Sequence, residues 1–325
     1  MSRKTIEIQH LSKTYGSTVA IEDIHFDVEA GEIIGFLGPN GAGKTTTMRI
    51  LAGYLPASAG TARIAGYDVH QHSMQVRRRI GYLPETPPLY PQMTVKGFLH
   101  FVAKIKGIKT SDRHRQVNNA MMRCQLLDRE KVVIAKLSKG YRQRVGIAQA
   151  IIHKPPVIIL DEPTVGLDPR QIIEVRNLIK SLAGEHTIIL STHILPEANT
   201  ICDRVAIVDR GKIITIDTPQ NLQAQLENNC GYGIEVAGEI DRILPLLLEV
   251  EGVVEATLDR NFLHPDRDRH LLKIACKPNT EPGTVISMII IEQGLKLYEM
   301  RRTRPSLEDV FLKLTTKEPV NITTS

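Results

Sequence analysis

Four short stretches of this 325-residue chain carry residue types and spacings that suit phosphate chemistry. Residues 38–45 read GPNGAGKT, a full GxxxxGK[ST] pattern between the apolar run Glu32–Leu37 and a helical segment ending near Gly53. In that context backbone N–H groups curl around a polyphosphate and the helix N-terminus adds its dipole. Lys44 supplies a fixed charge between phosphates, and the Thr45 hydroxyl offers a ligand to Mg²⁺. The run VIILDEP (157–163) leaves Asp161 and Glu162 at the carboxyl end of a buried strand, where ligands of open α/β sheets collect. Asp161 is placed to orient Mg²⁺ and Glu162 to polarise an attacking water. TIILSTH (187–193) delivers His193 to the same rim, as sensor of a γ-phosphate and holder of the water. Alone, an acidic pair after a strand reads as a solvated turn and a single histidine as a surface or core residue. The phosphate loop upstream is what turns both toward chemistry, and the chain reads as a nucleoside triphosphate binder.

The fourth stretch, LSKGYRQR (137–144), opens a helix. Tyr141, Val145, Ala148 and Ile152 recur at i, i+4, i+7 and i+11, Ser138 suits the N-cap, and Pro155-Pro156 ends the run. The positive end of that helix is a second place where an anion could sit.

The elements that must position these residues read as α/β over the first two thirds. Strands are expected at Thr5–Gln9, Val19–Val28, Glu32–Leu37, Val157–Leu160 and Thr187–Leu190, the last three apolar on both faces. Helices are expected near 44–52, 94–107, 111–126, 139–152, 169–183 and 218–227, and PETPPLYPQMT (84–94) is a proline-rich surface loop. Past about residue 230 the order becomes βαββαβ plus a last helix at Ser306–Leu314. This fits a compact split βαβ, ferredoxin-like domain, the alternative being a looser β extension of the first sheet. The expected domains are 1–228, with a helical subdomain at about 86–156, and a small α+β domain at 229–315. Residues 316–325 form a frayed, disordered tail.

Composition narrows the classes. Apolar residues make up 42%, charged residues 24% and aromatics 4%, with no tryptophan, which argues against a stacking platform for single-stranded nucleic acid. The formal charge of +5 is modest, and Arg77-Arg78-Arg79 is the kind of short run that a solvated surface carries. Four scattered cysteines read as reduced thiols, outside any zinc or disulfide framework. No apolar run approaches the ~20 residues of a membrane helix.

In order, GPNGAGKT, LSKGY, VIILDEP, VGLD (165–168) and STH make the chain resemble the nucleotide-binding subunit of ATP-binding cassette (ABC) transporters. IGYLPE, LSKGYRQR, DEPTVGLDP and the PSLEDVFLKLT run at 305–315 resemble the branch that serves drug, polysaccharide and gliding-motility export. The resemblance implies a P-loop cassette of mixed sheet with a helical subdomain, and ATP and Mg²⁺ as cofactors. By position it places the nucleotide on Gly38, Pro39, Asn40, Gly41, Ala42, Gly43, Lys44, Thr45 and Thr46, with Tyr15 stacked on adenine. Thr45 and Asp161 hold the metal, Glu162 is the general base, and His193 is the switch. Ser138 and Gly140 contact the γ-phosphate of the opposite subunit, and Asp168 tunes that site. A homodimer around two ATP molecules follows, with permease subunits on separate chains gripped by loop 84–94 and the helix from Thr94. No direct nucleic-acid partner is expected, and the location is peripheral, on the cytoplasmic face of the inner membrane. Two positions depart from the family. Glu85 stands where Gln is usual and either reaches the metal or faces solvent; Lys139 and Tyr141 replace residues of LSGGQ, with Lys139 expected beside the shared phosphate. Two alternatives stay open: a soluble ABC ATPase acting on nucleic acid or ribosomes, and an ATPase gated by a ligand at its C-terminal domain.

Overall fold

A computed structural model of the chain describes residues 4–224, 231–259, 262, 268–277 and 280–303. It divides into two compact units, 1–219 and 220–325. The boundary expected near residue 228 and the helix expected at 306–314 lie outside the described residues.

In the first unit, β1 (Lys4–Tyr15) and β2 (Thr18–Glu29) pair antiparallel and are longer than their sequence runs suggested. Ile8 and Leu11 are both buried although an odd spacing separates them. A register shift between them, with His10 at φ 51°, absorbs the extra residue and keeps one face apolar. Then follow β3 (Ile33–Leu37), α1 (Lys44–Leu51), β4 (Ala59–Ile64), β5 (Tyr67–Asp68), α2 (Ser73–Arg79) and β6 (Ile80–Leu83). The segment from 84 to 156 carries α3 (Val95–Ile105), α4 (Thr110–Arg123), two short 3-10 turns and α5 (Lys139–Ile151). The unit continues with β7 (Val157–Asp161), α6 (Pro169–Leu182), β8 (Thr187–Thr192), α7 (Leu195–Ile201), β9 (Arg204–Asp209) and β10 (Lys212–Asp217), and α8 (Pro219–Ala224) follows. The short elements β5, β6, α2 and α7 carry neither a continuous apolar run nor enough periods to be read from pattern alone.

Two sheets result. One is antiparallel, in the order β2-β1-β4-β5; the other runs β10-β9-β3-β8-β7-β6, parallel except at β10. Helix α1 contacts both, with Thr47, Met48, Ile50 and Leu51 buried in the shared core beside Ile6, Ile24, Phe36 and Val208. The parallel register has a direct consequence. Leu37 pairs with Thr192, Asp161 with Ser191, and Leu83 with Leu160, so four strands end level with one another along one rim.

The second unit contains β11 (Gly231–Ala237), α9 (Ile240–Leu248), β12 (Val253–Leu258), β13 (Arg269–Cys276), α10 (Gly283–Glu292) and β14 (Lys296–Thr303). Its antiparallel sheet has the order β12-β13-β11-β14, the path of a split βαβ module. Ile243, Leu247, Ile286 and Ile290 of the two helices share one core with Ile234, Val236, Leu272 and Ile274 of the sheet. Among the described residues these strands pair only with each other, so the alternative of an extended first sheet does not hold.

Beneath β6, the ring of His153 makes a 3.0 Å bond from Nε2 to the Ile80 carbonyl, while Nδ1 is buried without a partner. Burial, with Lys106 and His186 nearby, pushes this imidazole down to about 3. The folded state therefore holds it neutral while the unfolded chain protonates near the ordinary value. The stabilisation is complete above that value and is lost as pH falls from 6.5 toward 3. Urea melts should show roughly 2 kcal/mol lost from this group between about pH 7.5 and 5, a loss that His153→Gln reduces. Equal losses in both proteins would assign the acid sensitivity elsewhere.

Candidate functional site

The level strand ends make the site. Gly38 follows β3, His193 follows β8, Glu162 follows β7, and Glu85 lies two residues past β6. The loop after β3 turns through Gly41 (φ 83°) and Gly43 (φ 98°), a conformation that side chains with a Cβ resist. At Gly38 the constraint is space, because a Cβ there would come within 2.2 Å of the Val208 carbonyl. Helix α1 has no side-chain cap, so its first amides are left for a ligand.

Lys44 is 94% buried, being 6% exposed, and its Nζ donates to the Gly38 carbonyl at 2.7 Å and the Pro39 carbonyl at 3.1 Å. The same ammonium stands 3.5 Å from Glu162 Oε1. Glu162 itself has φ 49°, unusual for a residue with a side chain. Its other oxygen, Oε2, lies 2.9 Å from His193 Nδ1. Lys44, Glu162 and His193 thus form one chain of contacts, and Asn40 to Thr46, Glu85, Glu162 and His193 line one cleft of about 250 Å³.

Asp161 lies beneath this cleft. The Ser191 hydroxyl donates to its Oδ1 at 2.5 Å and the Thr45 hydroxyl to the same oxygen at 3.2 Å, while Oδ2 is buried with no hydrogen-bond partner. Burial pushes the Asp161 carboxyl above its usual range; the two hydroxyls pull it back, and the charges of Glu162 and Glu85 raise it further. A buried, partnerless carboxylate oxygen beside a threonine hydroxyl is a hard-oxygen set that fits a small divalent cation. Among the described residues no cluster of three or more His, Cys, Asp or Glu could hold an ion without further ligands. Such a cation would draw its further ligands from water or from a bound phosphate.

Ser191 was not singled out from the sequence. Besides holding Asp161, its Oγ accepts from the Glu162 amide at 2.9 Å, so one hydroxyl on the neighbouring strand orders both acids. A polar residue ending the apolar run TIILS was the available signal.

Other expected residues lie elsewhere. Tyr15 is exposed at the end of β1, with Lys13 Nζ 5.3 Å from its ring centroid, and does not line the cleft. Ser138 caps α5 by accepting from the Tyr141 amide at 3.4 Å, and Asp168 caps α6 by accepting from the Gln171 amide at 2.9 Å. Gly140 and Asp168 line a second cleft that shares no residue with the first. A Cβ on Gly140 would meet the Gln171 side chain at 2.6 Å. The Lys139 ammonium lies near Gly166 of the same chain, where a Cβ would come within 2.2 Å of it. The Tyr141 ring is flanked by Arg129 and Arg144, at 5.1 and 5.6 Å.

Comparison with known proteins agrees with this geometry. Residues 21–165 match the family model described as ABC transporter. An uncharacterized ABC transporter ATP-binding protein of Bacillus subtilis, YhcH, is 32% identical over 98% of this chain and 99% of its own length. A Nod factor export ATP-binding protein I of Ralstonia nicotianae is 32% identical over 98% of this chain and 95% of its own. The solved ATP-binding subunit of an ABC transporter superposes with a TM-score of 0.62 at 32% identity, covering 68% of this chain and 92% of that one.

The tight loop gives a direct test. Gly38→Ala must displace the Val208 carbonyl, and we expect a loss on the order of 2 kcal/mol or more in thermal stability together with weakened nucleotide binding. A variant with wild-type melting and binding would show that the loop tolerates a Cβ.

Proposed function

This chain belongs to the ATP-binding subunits of ABC transporters and is an ATPase, and from that premise we propose that it works as a head-to-tail homodimer that powers export through a separate membrane-embedded partner. The observation that carries the dimer is the split between two clefts. Lys44, Glu162 and His193 meet in one, whereas Gly140 and Asp168 line another with no residue in common. A second copy would bring the Ser138–Gly140 helix start of one chain over the phosphate loop of the other, giving two equivalent sites. Export is supported by the Nod factor export relative. No described helix is long and apolar enough to cross a membrane, and in this reading a partner supplies the path. In this reading loop 84–94 and α3 form the docking surface, and the protein lies on the cytoplasmic side of the membrane. The module at 229–315 is an accessory domain, followed by the tail at 316–325.

At the site, amides of residues 40–46 and the Lys44 ammonium would receive the β- and γ-phosphates of ATP, and Tyr15 the adenine. Thr45 and Asp161 would hold Mg²⁺, with Glu85 beside them; the ion supplies positive charge to the phosphate oxygens. Glu162 orients a water and accepts its proton as the new O–P bond forms and the bond from Pγ to the β-bridging oxygen breaks, leaving ADP and phosphate. His193, poised on Glu162, donates to the γ-phosphate. The helix N-terminus at Ser138 and Gly140 stabilises that phosphate from the partner's side, and its loss after hydrolysis lets the halves part.

Glu162→Gln should still bind Mg-ATP and dimerise, seen by size-exclusion chromatography, while turnover falls by ~100-fold or more. Near wild-type turnover would remove Glu162 from its role. Ser138→Arg should abolish hydrolysis and leave nucleotide binding by the monomer intact, measured by fluorescent nucleotide titration. Affinity purification from native membranes should recover an integral membrane chain; recovery with ribosomes or DNA alone would favour a soluble ATPase.

A further inference from the structure

One buried charge in the first unit has no part in the chemistry above. Glu197, in the first turn of α7, is 0% exposed. A carboxylate taken wholly out of water is costly unless paired, and a buried ion pair is often no more stabilising than well-packed apolar residues of the same volume. Its contacts point to another purpose. Oε2 receives the Thr192 hydroxyl at 2.5 Å. The same Thr192 oxygen accepts from the Ile194 amide at 3.0 Å. Thr192 and Ile194 flank His193, so the residues on either side of the switch histidine are tied to one hydroxyl, and Glu197 fixes the direction of that hydroxyl's proton. Facing Oε1 is Arg176 Nε at 3.6 Å, and both atoms are buried without a hydrogen-bond partner. The guanidinium therefore offsets the charge without binding the carboxylate tightly, and leaves Thr192 as its one bonded partner among the described residues. Arg176 stands on α6, whose N-cap is Asp168.

We propose that Glu197 is a positioning residue for His193: through Thr192 it sets the backbone turn that aims the imidazole at Glu162 and the γ-phosphate, with the Arg176 guanidinium facing its other oxygen. The inference rests on the reading of His193 as the γ-phosphate contact. It explains why His193, 41% exposed at its side chain, nonetheless holds Nδ1 2.9 Å from Glu162. A half-exposed side chain has rotamer freedom to lose, and a backbone pinned on both sides reduces that freedom before nucleotide arrives.

The test is steady-state ATP hydrolysis by the full chain, with melting temperature recorded for every variant. Glu197→Ala and Thr192→Val should each lower kcat by ~10-fold or more while KM for ATP stays within about twofold. Glu197→Gln, which can still accept from Thr192, and Thr192→Ser, which keeps the hydroxyl, should recover kcat to within about threefold of wild type. On a His193→Ala background, Glu197→Ala should add less than a further twofold or so, because the two act through one group. Wild-type kcat in Thr192→Val and Glu197→Ala, with only the melting temperature reduced, would overturn the proposal and leave a structural ion. Additive losses on the His193→Ala background would overturn it as well. Full activity of His193→Ala would remove the assigned role of His193 itself, a result distinct from both. If Glu197→Ala fails to fold, the Thr192→Val and Thr192→Ser pair decides the question.

Discussion

Two consecutive acids, Asp161 and Glu162, are buried behind the phosphate loop at 1% and 7% exposure, and one buried ammonium, Lys44, stands against Glu162. That imbalance governs the rest of the site. Like charges at short range in a poorly hydrated pocket disfavour joint ionisation, which is why the Asp161 carboxyl is pushed upward by burial and by its acidic neighbours. The protein answers with hydroxyls: Ser191 and Thr45 on Asp161, and the Ser191 oxygen on the Glu162 amide. The Glu162 backbone takes a positive φ that sends its side chain away from Asp161, toward Lys44 and His193. What remains is the buried Asp161 Oδ2, to which no protein group donates, beside the Thr45 hydroxyl, an oxygen pair chemically matched to a small divalent cation.

The same electrostatic demand explains the fold around it. Level ends of β3, β8, β7 and β6 bring the loop, the histidine and the acids to one rim without any long excursion of chain. Close packing then leaves no room for a Cβ at Gly38 against β9, and α1 is held between two sheets so that its amino end cannot drift. Around β8 the pattern of using strand-end hydroxyls is repeated: Ser191 serves the acids and Thr192 serves Glu197. Alternate residues point to opposite faces of a strand, so the two hydroxyls address two different carboxylates.

The second cleft is built on another principle. Gly140 and Asp168 sit at the starts of α5 and α6, each helix capped by its own side chain, with Gln171 filling the space against Gly140. Of the two departures from LSGGQ, Lys139 is exposed with its ammonium near Gly166, and the half-buried Tyr141 ring lies between Arg129 and Arg144. Ser138 and Gly140, the hydroxyl and the bare backbone on which the proposed phosphate contact rests, keep the residue types of LSGGQ.

Local chemistry was legible in the sequence: the phosphate loop, the acidic pair, the histidine and the α5 cap each depend on residues a few positions apart, and their elements run close to the expected bounds. The apolar strands on both sides of the sheet and the βαββαβ order of the second unit were likewise visible, because hydrophobic periodicity is a local record of burial. What only the tertiary structure decided is which distant residues share an atom. Ser191 joining two acids 29 and 30 positions away, Lys139 turning to Gly166, and Glu197 reaching back to Thr192 under the charge of Arg176 follow from strand register and helix packing. A residue's type limits the bonds it can make, but its partner is set by which chain segments the core forces together, and that is a property of the whole packed unit.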